Sequence, residues 1–175
     1  MAKTVWIGDV RKGVYDDQEI EIKGWITRSS YGRSNKLRFV VLRDSTGTLQ
    51  CVGKLDILGE ELFSMFNDAL VESSVVFSGT VLRNERAPGG RELSMTGVEI
   101  IGAVDPERPF PINKESLEVL DEDGELMPGG SEFLLNHRHL FLRTSRMTTM
   151  LKLRSSAFGA IHRYFRERDF IEYQA

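Results

Sequence analysis

Hydrophobic and polar positions alternate with period two over much of the first hundred residues. Ile20, Ile22, Gly24 and Ile26 alternate with Glu21, Lys23 and Trp25, the pattern of a strand with one face buried. "KLRFVVLRD" (36–44) predicts a second strand, rich in β-branched and aromatic residues, and the turn "DSTGT" separates it from a third, "LQCV" (49–52). The period then changes. In "GEELFSMFNDAL", Leu62, Phe63, Phe66 and Leu70 recur at helical spacing. "SVVFSGTVLR" (74–83) and "RELSMTGVEIIG" (91–102) restore strand character on either side of "NERAPGG", whose Pro-Gly-Gly suits a hairpin loop. Trp6 and Trp25 are expected to pack.

Three strands, a helix and two more strands are the order of an all-β OB-fold, a five-stranded Greek-key barrel with an inserted helix, often used to hold oligonucleotides. That domain is expected over residues 1–104. Residues 105–143 read as a hinge, because Pro109, Pro111, Gly124, Pro128 and Gly129-Gly130 interrupt any periodic pattern. Over 144–175 a helix is expected to run into a strand, "DFIEY". Leu151, Phe158, Ile161 and Phe165 form one apolar stripe on that helix. A single amphipathic helix with a dangling strand has no core of its own, so the stripe is expected to meet a partner surface.

Composition narrows the classes. At 175 residues, 41% hydrophobic and 28% charged, the chain is long enough for one cored domain and an appendage. No apolar run approaches the roughly 20 residues of a membrane helix, so no membrane partner is expected. Met1-Ala2-Lys3-Thr4 lacks the apolar stretch of a signal peptide, and the single Cys51 forms no internal disulfide. The cytoplasm is the expected location. A net charge of −3 argues against indiscriminate nucleic-acid binding. The charge is uneven, however. Arg28, Arg33, Lys36, Arg38 and Arg43 stand between positions 25 and 43 with no acid, whereas residues 115–125 carry only acids. The chain contains no Gly-x-x-x-x-Gly-Lys phosphate loop, no His and Cys cluster at metal spacing and no paired Ser and His. His137 and His139, flanking Arg138, read as structural, and no metal site is expected.

A further set of motifs runs the length of the chain in a fixed order: "GWITR" (24–28), "KLRFVVLRDSTGTLQCV" (36–52), "ERAPGG" (85–90), "FPI" (110–112) and "RHLFLRT" (138–144). Together they resemble the front end of a class II aminoacyl-tRNA synthetase of the asparagine, aspartate and lysine subgroup. The "RAPGG" and "RHLFLRT" elements look most like the asparaginyl enzymes of archaeal type. "LRSSAFGAIHRYFRERDFIEYQA" is similar to the family's motif 1, a long helix leading into a strand, which closes with a proline just beyond the last residue here.

The resemblance implies an anticodon-binding OB-fold and part of a homodimer interface, with Leu151, Phe158, Ile161 and Phe165 packing against a second copy. It implies tRNA as partner. The arginines of motifs 2 and 3, which hold ATP and the amino acid, have no counterpart, so this piece alone is expected not to aminoacylate and to hold no cofactor. ATP and magnesium would serve the full-length parent. Phe39 falls where the family stacks the central anticodon base, and Gln50 where a glutamine reads that base, a uridine, through its amide. Arg28, or a neighbour in the basic loop up to Lys36, is similar to an arginine completing that contact. Pro88 resembles a position near the third anticodon base. Read from the residues alone, Phe39 alternates with Leu37 and Val41 and suits a barrel core equally well. The aspartyl enzymes, including those charging both tRNAs, share these motifs. A freestanding OB-fold module binding single-stranded nucleic acid or a protein is the alternative outside the enzyme class.

Overall fold

The alternation of the first hundred residues closes a barrel. β2 (Glu19–Tyr31), β3 (Leu37–Arg43) and β4 (Thr48–Lys54) form a meander, α2 (Leu55–Asp68) follows, and β5 (Ser74–Arg83) and β6 (Arg91–Gly102) complete the ring. β2 pairs antiparallel with both β3 and β5, β4 pairs parallel with β6, and β5 with β6 antiparallel, so each of the five strands has two neighbours. Two short elements lie upstream, β1 (Lys3–Thr4), parallel to the start of β2, and α1 (Ile7–Arg11). The computed structural model describes residues 3–32, 34–111, 132 and 135–173. They fall into two units, 1–111 and 112–175.

The inward residues form one apolar core. Ile20, Ile22 and Ile26 of β2, Val40 and Leu42 of β3, Val75 and Phe77 of β5, and Leu93 and Met95 of β6 are fully buried. α2 covers one end through Phe63 and Phe66. Phe66 meets Phe77 edge-on at 5.6 Å between ring centres, a favourable aromatic geometry. To serve β5 and β3 at once, β2 must bend near its middle, and Gly24 permits it: a Cβ there would lie 2.3 Å from the Arg43 carbonyl oxygen.

At the end of the β5–β6 hairpin, Arg83 and Arg91 stand opposite each other, a like-charged cross-strand pair that would repel. Asp16 holds them. It accepts from Arg91 Nε (2.6 Å) and Nη2 (3.0 Å) and from Arg83 Nε (2.6 Å), while Arg91 Nη1 donates to the Arg11 carbonyl (3.1 Å). The link between α1 and β2 is thereby tied to the hairpin.

Several expectations change. Trp6 is 57% and Trp25 43% exposed; Trp6 precedes α1 and Trp25 lies on the outward face of β2, so neither packs in the core. The second unit contains α3 (Arg138–Phe141) and α4 (Ser145–Arg166), whose first turn is capped by Thr144 Oγ1 accepting from Met147 N. The strand expected at "DFIEY" does not form. A strand needs a neighbour for its backbone groups, and no strand among the described residues pairs with it. Instead the chain turns back at Asp169 (φ 60°), Phe170 meets Phe165 at 5.3 Å between ring centres, and Glu172 accepts from Arg166 (2.6 Å) and pairs with His162. The acidic run 115–125 and Gly129-Gly130 lie outside the described residues.

The hydrogen bond from Arg91, helped by Arg83 and by both charges, holds the Asp16 carboxyl at about 2, below its ordinary 3.8. A depressed carboxylate stabilises the fold fully above its free value and loses that contribution as pH falls through the folded one. Melting temperature should therefore drop between pH 3.8 and about 2, and Asp16→Asn should flatten the drop. An unchanged acid slope in the variant would remove Asp16 from this role.

Candidate nucleic-acid interface

Barrel closure decides which way each strand residue points. In β3, Arg38, Val40 and Leu42 are buried, while Leu37, Phe39 and Val41 alternate with them and are half-buried on the outer face. Phe39 is therefore not a core residue. Its cross-strand neighbours are Ser30 on β2 and Val52 on β4. The adjoining row on the same face runs Arg28, Val41, Gln50 and Glu92, each opposite the next across β2, β3, β4 and β6. Three residues singled out from the sequence, Arg28, Phe39 and Gln50, thus share one outer face in two adjacent rows. Arg28 reaches it because β2 carries a bulge between Ile26 and Arg28, which resets the alternation. Pro88 is exposed in the β5–β6 loop.

Gln50 Nε2 donates to Glu92 Oε2 at 3.0 Å, and Asn84 Nδ2 donates to the same oxygen at 2.9 Å. Asn84 Oδ1 in turn accepts from the backbone N–H of Arg86 at 3.0 Å, within the loop that carries Pro88. Glu92 and Asn84 were not legible as site residues. Period two places Glu92 on an outer face, but its meeting with Gln50 depends on a parallel pairing across 42 positions that no local pattern reveals.

The basic segment divides by role. Arg38 is 6% exposed and donates to Ser29 Oγ (2.7 Å), Asn67 Oδ1 (2.9 Å) and the Ala69 carbonyl (3.5 Å), with its guanidinium carbon 5.4 Å from the Tyr31 ring centre and 5.1 Å from that of Phe66. It is a structural tie between β3, β2 and the end of α2. Arg43 pairs with Glu72 at 3.1 Å. Asp44 builds the next turn, accepting from Thr46 N (2.6 Å) and Gly47 N (3.0 Å), and also from Ile7 N (2.8 Å) at the start of α1. Arg28 and Lys36 are exposed; Arg33 lies outside the described residues.

An aromatic ring, an amide and a guanidinium on one outer sheet face are the residue types with which proteins stack a single-stranded base and hydrogen-bond to its edge. Among the described residues no group of three or more His, Cys, Asp or Glu is placed to hold a metal ion, and Cys51 is buried with its thiol pushed far above its ordinary range by burial. Among the described residues no helix is long and apolar enough to cross a membrane.

Comparisons with known proteins point the same way. Residues 20–101 match the family described as OB-fold nucleic acid binding domain. The asparagine–tRNA ligase of Pelotomaculum thermopropionicum is 37% identical over 159 residues, 91% of this chain and 33% of the relative. The crystal structure of asparaginyl-tRNA synthetase from Pyrococcus horikoshii complexed with asparaginyl-adenylate superposes with a TM-score of 0.80 at 30% identity, covering 99% of this chain and 36% of that one. A putative aspartyl-tRNA synthetase from Leishmania major, at 18% identity and a TM-score of 0.81, shares the fold over 99% of this chain and 34% of its own. The chain spans about a third of the length of the curated relatives it matches.

Arg38→Ala should reduce the stability of the fold by about 2–4 kcal/mol, because it removes a buried charge-assisted tie. Arg28→Ala should stay within about 0.5 kcal/mol of the parent, as an exposed surface change does. Urea denaturation of both variants checks this, and the reverse ranking would exchange their roles.

Proposed function

We propose, on the premise that residues 20–101 belong to the OB-fold nucleic acid binding domain family, that this barrel is the anticodon-binding domain of an asparagine–tRNA ligase. The observation that carries the reading is the shared outer face of Arg28, Phe39 and Gln50, whose residue types match what a single-stranded base requires. In this reading Phe39 stacks the central anticodon base. Gln50 pairs with the Watson–Crick edge of that uridine: Nε2–H donates to O4, and Oε1 accepts from N3–H. Arg28, in the same row as Gln50, completes that contact, and Pro88 borders the third base. The relatives' printed names, asparagine–tRNA ligase and asparaginyl-tRNA synthetase, support asparagine as the amino acid the parent attaches. Activation of asparagine with ATP and magnesium then belongs to the rest of the parent protein, which would act in the cytoplasm.

The α4 stripe carries a second element of the proposal, dimerisation. Leu151, Phe158, Ile161 and Phe165 are all 42–52% exposed on a helix of 22 residues. Burying each large side chain is worth roughly 1.5–3 kcal/mol. A second copy presents the same stripe, which suits a two-fold contact. Sedimentation over a range of concentrations should show association, weakened by Phe158→Ser; a monomer at high micromolar concentration would remove this element.

Binding of anticodon stem-loop RNA tests the main reading. The chain should prefer the asparagine anticodon over the same loop with its central uridine changed to cytidine. Phe39→Ala should weaken the preferred complex by about 1–3 kcal/mol. Equal affinity for both loops, or a variant that binds as well as its parent, would contradict it.

A further inference from the structure

An amide can read either pyrimidine, depending on which way it faces. With Nε2–H toward position 4 and Oε1 toward position 3 it complements uracil, whose O4 accepts and whose N3–H donates; rotated by half a turn it complements cytosine, whose N4 amino group donates and whose N3 accepts. A free glutamine side chain adopts both orientations at little cost. Discrimination between the two bases therefore requires something that fixes the amide, and Gln50 alone does not supply it.

The structure supplies it in three hydrogen bonds. They begin at a group that cannot turn over, the backbone N–H of Arg86, which donates to Asn84 Oδ1. That bond fixes the Asn84 amide so that Nδ2 faces Glu92, and Nδ2 donates to Glu92 Oε2. An ionised carboxylate only accepts, so Gln50 can meet Glu92 only through Nε2, and it does so at 3.0 Å. Oε1 and the second Nε2 hydrogen make no other hydrogen bond among the described residues. The amide is held with one polarity, dictated by a peptide group in the β5–β6 loop and passed along Asn84 and Glu92.

We infer that Glu92, oriented by Asn84, is a positioning residue that sets the uridine-over-cytidine preference by locking the Gln50 amide. The inference rests on the reading of Gln50 under Proposed function and adds the part that gives it a direction. Glu92 touches Gln50 rather than the base in this role. Its removal should therefore act on selectivity, not on stacking or on phosphate contact.

Two substitutions separate this role from a merely structural one. Glu92→Met removes the acceptor. The preference for central uridine over central cytidine, measured with paired anticodon stem-loops on the full chain, should fall roughly tenfold, through gain of cytidine binding as well as loss of uridine binding. Glu92→Gln should keep the preference, because Asn84 still demands an oxygen at that place and that oxygen still accepts from Gln50. Adding Asn84→Ala to Glu92→Gln frees the new amide to turn over, and the preference should then fall as in Glu92→Met.

A spectroscopic readout on the free protein guards against variants that fold poorly. The two Nε2 protons of Gln50, assigned by their loss in Gln50→Ala, should be displaced from the positions of a free primary amide in the parent and in Glu92→Gln and should return to those positions in Glu92→Met. If the parent prefers uridine and Glu92→Met keeps that preference undiminished, the lock is wrong while the reading of the face stands. A parent that shows no preference defeats the reading beneath it. Gln50 proton shifts unchanged in Glu92→Met would also overturn the lock.

Discussion

Closing five strands into a ring commits alternate residues to opposite fates, and the rest of the structure depends on that constraint. Once β2 pairs with β5 as well as with β3, a residue either fills the interior or stands on the outside, with no third choice. Val40 and Leu42 take the inside of β3 and so send Phe39 outward; Leu49 and Cys51 do the same for Gln50 on β4. The surface that meets RNA in the proposed reading is thus a by-product of core packing. A rigid core also holds it still, so an aromatic ring and an amide wait in place before any ligand arrives.

The same constraint creates problems that polar groups resolve. Arg38 falls on the inward phase of β3 and is accommodated because Ser29, Asn67 and the Ala69 carbonyl receive its donors and the Tyr31 and Phe66 rings lie beside its guanidinium. Arg83 and Arg91 face each other across a hairpin and are reconciled by Asp16. Each solution ties distant segments together. The Asp16 tie steadies the end of the barrel from which the β5–β6 loop, with Asn84 and Pro88, projects.

Much of this architecture could be read from the chain, and the failures have physical causes. The spans 74–83 and 91–102 coincide with β5 and β6 because both are bounded by clear breaks, Ser73 and the Pro-Gly-Gly loop on one side and Gly102 on the other. β2 extends beyond the expected 20–26 to Tyr31, since Thr27, Arg28, Ser29 and Ser30 are polar on both phases and carry no alternation to follow. β3 was ambiguous for the opposite reason, with apolar residues on both phases, and a buried arginine on the inward one obscured which was core. Trp6 and Trp25 were expected to pack on residue type alone, and strand direction overruled type. The acceptor for Gln50 is remote in sequence, so Arg28, Phe39 and Gln50 could be named from the chain while the network that orients Gln50 could not.

If that face is the recognition surface, its signature is where RNA perturbs the molecule. Amide NMR spectra of the chain, titrated with an asparagine anticodon stem-loop, test this most directly. The account predicts that the largest shifts cluster at Arg28, Phe39, Gln50 and the loop from Asn84 to Gly90, leaving the inward residues Val40 and Phe77 nearly still. Shifts centred on α4, or spread evenly over the exposed arginines, would contradict it.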